Sequence, residues 1–175
     1  MSLEMECERE RMTVSAEPFV ELLGNISHQA AAPTAEHLTT ALLELGWTAS
    51  PTPRRFSHGL LSASIVDSDG PVVDVVFDQA WVPDISEDED DGSDPLEDLE
   101  AEKVIAAQGL LARLGRALDV AARQADSDLA CKEGLDFIQP VLLEVGHCRV
   151  VFGVVGGDYD SPVLTLARVR WEPSS

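Results

Sequence analysis

Residues 84–102 read DISEDEDDGSDPLEDLEAE and stand between two groups of strand-like segments in the chain. The stretch carries eleven acidic residues and no Lys or Arg. Its second part has the features of a helix start, because Asp94 can serve as N-cap, Pro95 takes the first helical position and Glu97 completes a capping box. We therefore predict an acidic loop at residues 84–94, followed directly by a long helix.

Strand-like and helix-like segments surround this loop in a definite order. Helical spacing of apolar residues predicts helices over 15–27 and 35–45, the second of them capped by Thr34. The long helix reaches residue 125 if it is unbroken, and Gly109 and Gly115 within it should mark a close approach to the sheet or a bend. Strand patterns cover residues 58–67, 72–81, 137–145, 147–155 and 163–171, and Pro140 indicates an edge position for the strand that contains it. Because the connections between consecutive strands are short, the sheet should be largely antiparallel. The prediction is an α+β fold with a five-stranded sheet, helices on one face, and the order α-α-β-β-α-β-β-β.

The domain organisation follows from the same segments. Residues 1–14 mix Glu with Arg and carry few apolar residues, so we predict a flexible N-terminal tail. Residues 15–172 should form one α+β domain, in which the acidic loop separates two halves of similar helix-then-hairpin plan. An ancient duplication is one hypothesis for that similarity.

The charge balance restricts the classes of partner. The net charge is −20, from 32 acids against 12 bases, which disfavours binding to nucleic acid or anionic membranes and favours a basic protein partner. No apolar run is long enough to span a bilayer, and the three cysteines show no zinc-binding spacing. We expect a soluble protein in a reduced, cytoplasmic setting. Ten of the 12 bases are Arg, a composition typical of bacteria with GC-rich genomes.

The acidic loop is the first candidate site. Its proposed partner-binding residues are Glu87, Asp88, Glu89, Asp90, Asp91 and Asp94. Such a loop can steer a basic partner electrostatically, and the alternative is a solvated loop that only keeps the protein soluble. A calcium-binding EF-hand loop is disfavoured, because Glu replaces the usual early Asp, Asp98 ends the loop, and Val82-Pro83 precedes it instead of a helix.

A second set of candidate residues could bind a small ligand. Asp74 and Asp78 are predicted on the same face of one strand, about 13 Å apart, which is too far for a shared metal. Arg168 and Arg170 share a face of the last strand and could hold a carboxylate or a phosphate. Pairing of these residues with neighbouring opposite charges is the favoured interpretation.

The remaining chemistry-bearing residues form no recognisable motif. The four histidines have no metal-binding spacing, so neither a metal nor a cofactor is predicted. A nucleophilic pair, either Cys148 with His58 or Cys131 with His147, stays open because such partners need only meet in space. Cys148 is more simply interpreted as a small buried hydrophobic residue.

These features together predict a non-catalytic, acidic bacterial protein, monomeric or homodimeric, that holds or masks a basic partner protein. Two known classes have similar bulk properties: immunity proteins that neutralise toxins, and small secretion chaperones, which are similar in size and acidity. The analogy extends to these properties alone, because no motif residue can be matched. The alternative function is a small-ligand-binding protein or an enzyme, with a pocket between the long helix and the sheet.

Overall fold

The computed structural model describes residues 14–67, 70–83, 92 and 94–172, apart from the side chains of residues 127, 130 and 131. The described residues form four helices and eight strands. The helices are α1 (Glu17–Ile26), α2 (Ala35–Glu44), α3 (Pro95–Leu118) and α4 (Ser127–Lys132). The strands are β1 (Thr48–Ala49), β2 (Arg55–His58), β3 (Leu61–Asp67), β4 (Pro71–Ala80), β5 (Arg123–Gln124), β6 (Phe137–Val145), β7 (Cys148–Val155) and β8 (Val163–Trp171).

All eight strands belong to one antiparallel sheet with the order β1-β2-β3-β4-β8-β7-β6-β5. Strands β1–β4 form one meander and β5–β8 form another, and the two meanders join where β4 pairs with β8. The predicted α+β class and antiparallel sheet are therefore confirmed. The predicted count of five strands is wrong, because β1, β2 and β5 were not expected.

The extra strands are short and lie where loops or helix were predicted. The expected strand over 58–67 is interrupted by a turn at Gly59, which has a φ of 58°, and the chain before it forms β2. Strands β1 and β5 have two residues each, too few to show the alternation of side chains that identifies a strand.

Helix starts were predicted more accurately than the end of the long helix. The Thr34 hydroxyl accepts a hydrogen bond from the His37 amide at 3.2 Å and caps α2, as expected. Helix α3 begins at Pro95 but ends at Leu118 instead of reaching residue 125, and it is about 36 Å long at ~1.5 Å per residue. It ends there because Asp119 adopts a left-handed conformation with a φ of 54°.

The main core lies between one face of the sheet and helices α1–α3. Three phenylalanine rings, Phe19 of α1, Phe77 of β4 and Phe152 of β7, meet edge to face with centroid separations of 5.2 and 5.9 Å. On the other face, Leu129 of α4 packs against Leu142 and Val151. The prediction that helices cover one face thus holds for α1–α3 and is wrong for α4.

Some predicted segments fall outside the described residues. These are residues 1–13 of the predicted tail and residues 84–91 and 93 of the acidic loop. Val14, the final residue of the predicted tail, is partly buried, and its carbonyl accepts a hydrogen bond from Arg113 Nη1 at 3.2 Å. The duplication of two halves stays a prediction.

Candidate functional site

Of the six proposed partner-binding residues, Asp94 is the one that the structure describes; residues 87–91 lie outside the described part of the chain. Asp94 is the N-cap of α3, and its Oδ1 accepts hydrogen bonds from the Leu96 amide and the Tyr159 hydroxyl, both at 2.9 Å. These donors, Tyr159 foremost, hold the pKa of Asp94 below its ordinary value. Asp94 is therefore an ordered, ionised carboxylate at the point where the acidic loop meets the fold.

Several other acids come to the same end of the sheet, which we call the acidic end. Tyr159 belongs to the β7–β8 turn, which also carries Asp158 and Asp160. The Gly156 amide of this turn donates to the Asp136 carbonyl at 3.0 Å, and a Cβ on Gly156 would lie 3.1 Å from Glu100 Oε1. The acidic end is defined by five residues from three separate segments, namely Asp94, Glu100, Asp136, Asp158 and Asp160.

The turn that carries Asp158 is itself ordered by hydrogen bonds. Asp158 Oδ1 accepts from the Asp160 amide at 2.8 Å and from the Ser161 hydroxyl at 2.9 Å. The pKa of Asp158 is lowered by these donors, the Ser161 hydroxyl contributing most. The first base along α3 is Lys103, whose Nζ already binds Asp78 Oδ2 at 2.7 Å. Negative charge at this end of the molecule is therefore not neutralised by α3.

Most of the described bases pair with acids of the fold. Arg9 and Arg11 lie outside the described residues, and six of the other bases form ion pairs. These pairs are Arg54–Asp67, Lys103–Asp78, Arg123–Glu144, Arg149–Glu172, Arg168–Asp74 and Arg170–Glu133. These bases already pair with acids of the same chain. The acids in excess therefore determine the charge of the surface that a partner protein would contact.

The four alternative ligand-binding residues do not form one site. A β-bulge between Val76 and Asp78 shifts the register, so that Asp78 lies opposite Thr165 and binds Lys103 on the α3 side of the sheet. Asp74 lies on the opposite face and forms a two-point ion pair with Arg168, with distances of 2.7 Å to Nε and 2.6 Å to Nη2. The predicted shared face of Asp74 and Asp78 is therefore wrong.

Arg168 and Arg170 of β8 pair with acidic residues of the fold, as predicted. The side chains of Asp74 and Arg168 are only 10% and 9% exposed, and the hydrogen bonds that Arg168 donates to Asp74 raise the pKa of the guanidinium. Arg170 Nη2 donates to Glu133 Oε2 at 2.9 Å. Sequence reasoning did not identify Glu133, which follows α4 and reaches β8 through a long-range contact that no local pattern reveals.

A groove of about 420 Å³ separates α3 from β5, β6 and β7. Its wall includes a second bulge, where Gln139 adopts a φ of 47° next to Pro140. Pro140 was predicted to mark an edge strand; β6 instead lies between β7 and β5, and the bulge accommodates the proline. Arg123, Gln108, Gln124 and Gln139 provide polar groups in a mainly apolar wall, and none of Asp74, Asp78, Arg168 and Arg170 lines it.

The cysteine and histidine hypotheses are resolved in part. Cys148 is free and 2% exposed, as expected for a small buried hydrophobic residue, and burial raises the pKa of its thiol to about 11. His58 lies in β2, four strands away from β7 or about 19 Å at ~4.8 Å per strand, so these two residues form no nucleophilic pair. The His147 ring contacts Trp171, and the side chain of Cys131 lies outside the described residues.

The described residues hold neither a cluster of metal ligands nor a membrane-spanning helix. Within residues 14–67, 70–83, 92 and 94–172, no three His, Cys, Asp or Glu side chains are arranged to hold a metal ion. In the same ranges, no helix has both the length and the apolar character needed to cross a membrane. Comparison of the chain with protein-family models, curated proteins and solved structures finds no match.

Proposed function

We propose that this protein is a non-catalytic binding protein that holds or masks a basic partner protein through its acidic end. The observation that carries the proposal is the convergence of Asp94, Glu100, Asp136, Asp158 and Asp160 at one end of the sheet. Residues 84–93, with six further acids, directly precede Asp94 in the chain.

A surface of this kind suits a basic partner for electrostatic reasons. Charges of one sign on a low-dielectric surface attract an oppositely charged protein over roughly one Debye length, about 8 Å at physiological salt. Such attraction mainly raises the association rate and weakens as salt increases. The fixed carboxylates of the acidic end would give a partner a defined orientation, since Asp94 and Asp158 are already held by hydrogen bonds.

The experiment compares two double variants with the same net charge. Glu100→Gln with Asp160→Asn removes two acids of the acidic end, whereas Glu36→Gln with Glu44→Gln removes two acids of α2. A partner is first captured from an extract of the source cells on immobilised wild-type protein and identified by mass spectrometry. Its association rate with each purified protein is then measured by surface plasmon resonance at several salt concentrations.

We expect the captured partner to be basic, and its association rate to fall several-fold for the acidic-end variant and to change little for the α2 variant. Binding should also weaken steeply as salt rises. Equal effects of the two variants, or affinity that does not respond to salt, would contradict the proposal. A dimeric mass in light scattering would favour the chaperone-like version, and a monomeric mass the immunity-like version.

One observation favours the alternative function, the binding of a small ligand. The groove between α3 and β6 has a suitable size, and Gln139 holds a left-handed backbone conformation that non-glycine residues rarely adopt. A ligand there would contact apolar atoms of Val104, Leu111 and Phe152 and the polar ends of Gln108 and Gln139. A fragment screen followed by NMR tests this alternative: chemical-shift changes confined to α3 and β6 would support it, and their absence would count against it.

A further inference from the structure

Helix α3 packs on the sheet with one side and exposes the other. Its buried residues are Ala107, Leu110 and Leu114. The opposite side carries six exposed residues whose spacing alternates between four and three. These residues, which we name the outer stripe, are Asp98, Glu102, Ile105, Gly109, Ala112 and Arg116. This alternation is the spacing of residues along the seam where two helices pack against each other.

The two residues in the middle of the outer stripe are unfavourable in a helix surface that meets only water. Ile105 is 70% exposed, although it is a large apolar residue. Gly109, one turn further on, is a poor helix former, and a Cβ there would meet no atom of a neighbouring element within 4 Å. No contact within the described part of the chain therefore requires glycine at this position. A large side chain beside a position without one is suited to helix packing, because the first fits into the space left by the second.

The two ends of the outer stripe carry opposite charges. Asp98 lies in the first turn of α3, Glu102 follows one turn later, and Arg116 lies in the last turn. Among the ion pairs of the described residues, none involves any of these three side chains. Both signs of charge are therefore available to a second molecule that lies along the helix.

We propose that the outer stripe is the interface of a homodimer, in which α3 packs antiparallel against α3 of a second copy. With the twofold axis level with Ala107, Ile105 of one copy lies opposite Gly109 of the other, because each is two residues from the axis. Asp98 and Arg116 are each nine residues from the axis, about 13.5 Å along the helix at ~1.5 Å per residue. Each aspartate therefore faces an arginine of the other copy, and twofold symmetry repeats every contact.

The antiparallel direction follows from the order of residues in the outer stripe. A parallel pair in register would place Asp98 against Asp98, Arg116 against Arg116 and Ile105 against Ile105. Like charges would then repel at both ends, and the space beside Gly109 would stay unfilled. The antiparallel direction also brings the negative end of each helix dipole to the positive end of the other. Charge and shape thus favour the same arrangement.

The contact between one pair of helices is small, so the dimer should dissociate on dilution. Repulsion between two chains of net charge −20 opposes association, but salt screens charges further apart than about 8 Å at physiological ionic strength. The interface is also distinct from the acidic end. Glu100 is two residues from Asp98, about 200° around the helix, and so lies on the other side of α3. The proposal therefore does not depend on the proposed function.

The first test measures molecular mass by sedimentation equilibrium at physiological ionic strength over a range of protein concentrations. Two variants change the centre of the interface: Ile105→Gln removes the apolar side chain, and Gly109→Gln fills the space opposite it. The control variant is Ala117→Gln, which adds the same side chain at an exposed position of α3 outside the outer stripe. Circular dichroism confirms that each variant is folded.

The average mass of the wild type should rise with concentration towards that of two chains. The dissociation constant should increase by about tenfold or more for Ile105→Gln and Gly109→Gln and stay unchanged for Ala117→Gln. Since glutamine is a better helix former than glycine, Gly109→Gln should not destabilise α3 itself, and its effect reports the contact.

Two results of this test would overturn the proposal. The first is a wild-type mass that stays at one chain up to about 1 mM. The second is a dimer that Ile105→Gln and Gly109→Gln leave unchanged, because the contact would then lie on another face. If the wild type is monomeric and Ile105→Gln instead prevents the capture of a basic partner protein, the outer stripe binds that partner and the homodimer is wrong.

The second test reverses charges to determine the direction of packing. Asp98→Arg and Arg116→Asp should each weaken the dimer, because each variant places like charges opposite each other. The two variants change the net charge in opposite directions, so a general charge effect cannot weaken both. The double variant restores the pairing with reversed signs, and its dissociation constant should return towards that of the wild type. Failure of the double variant to recover would overturn the antiparallel arrangement.

Discussion

Asp74 and Arg168 form a buried two-point ion pair across β4 and β8, the two strands that join the meanders of the sheet. The register places them directly opposite each other, and Arg168 Nη1 also donates to the Glu133 carbonyl. The pair therefore connects three parts of the chain that are far apart in sequence, namely β4, β8 and the segment after α4.

Breaking this pair from one side should cost much of the stability. Arg168→Met leaves the Asp74 carboxylate buried without its partner, and we expect the free energy of unfolding to fall by about 3 kcal/mol or more. Replacing both residues, with Asp74→Leu and Arg168→Met, should recover a large part of the loss because no charge is then left buried. Urea unfolding followed by circular dichroism measures each change.

The exposed pair Arg123–Glu144 is the matched control for this experiment, since its side chains are 63% and 65% exposed. Arg123→Met should change the free energy of unfolding by less than about 1 kcal/mol. If Arg168→Met lowered the free energy of unfolding by as little as Arg123→Met, the Asp74–Arg168 pair would not be an important stabilising link between β4 and β8.

The bulge in β6 should depend on the absence of a side chain at Gly153. A Cβ at this position would lie 3.2 Å from Phe137 Cδ1 and 3.3 Å from Pro140 Cα, so β6 would have to move away. We expect Gly153→Val to lower the free energy of unfolding by about 1–3 kcal/mol. NMR shifts of Gln139 and its neighbours should report the altered bulge, and unchanged shifts would contradict the packing proposed for it.

Gly109 provides the contrasting case in α3. It was expected to mark a close approach of the helix to the sheet or a bend, but a Cβ there would meet no atom within 4 Å. Gly109→Ala should therefore stabilise the protein, by up to about 1 kcal/mol, through the better helix propensity of alanine. Thermal unfolding of the two proteins tests this, and a lower melting temperature for the alanine variant would disagree with an open environment.

The hydrogen bond from Tyr159 to Asp94 should make stability depend on pH in a defined direction. The pKa of Asp94 in the folded protein is lowered from 3.8, so the ionised form stabilises the fold above that value and the contribution disappears as pH falls below it. Tyr159→Phe should raise the pKa of Asp94 towards 3.8, measured by NMR titration of its carboxyl carbon. The difference in stability between wild type and Tyr159→Phe should be present at neutral pH and vanish in acid. A difference that persisted in acid would contradict its assignment to the Tyr159–Asp94 hydrogen bond.

Burial should make Cys148 unreactive in the folded protein. Its pKa is raised from 9.0 to about 11, so at pH 8 the thiolate fraction is about 100-fold smaller than for an ordinary cysteine. In a Cys7→Ser, Cys131→Ser background, iodoacetamide should modify Cys148 at least that much more slowly in buffer than in urea. Similar rates in both conditions would indicate that the start of β7 opens readily.

The sequence predicted those features that are encoded in neighbouring residues. The N-caps of α2 and α3 require only a side chain and an amide a few residues further on, and both were found where Thr34 and Asp94 stand. Alternation of side chains along β4 places Val73, Val75 and Phe77 on one face, and all three lie in the main core. These features could be predicted because local geometry determines them.

The features that were missed depend on the backbone or on distant contacts. The bulge beside Asp78 changes the face of a side chain without any change in the residue pattern, so alternation placed Asp78 with Asp74. The end of α3 depends on the backbone conformation of Asp119, while the alanines at 121 and 122 continued the apolar pattern. Glu133 could be assigned only once the register of β7 and β8 had brought Arg149 beside Arg170.

The position of β8 in the sheet has a consequence for the order in which the protein can fold during synthesis. Strand β8 pairs with both β4 and β7, yet β4 ends at Ala80 and β8 begins at Val163. A ribosome therefore completes the first meander about eighty residues before the strand that covers its inner edge emerges. Until then β4 exposes unpaired backbone groups to solvent, and the nascent chain must be kept from pairing with a neighbour.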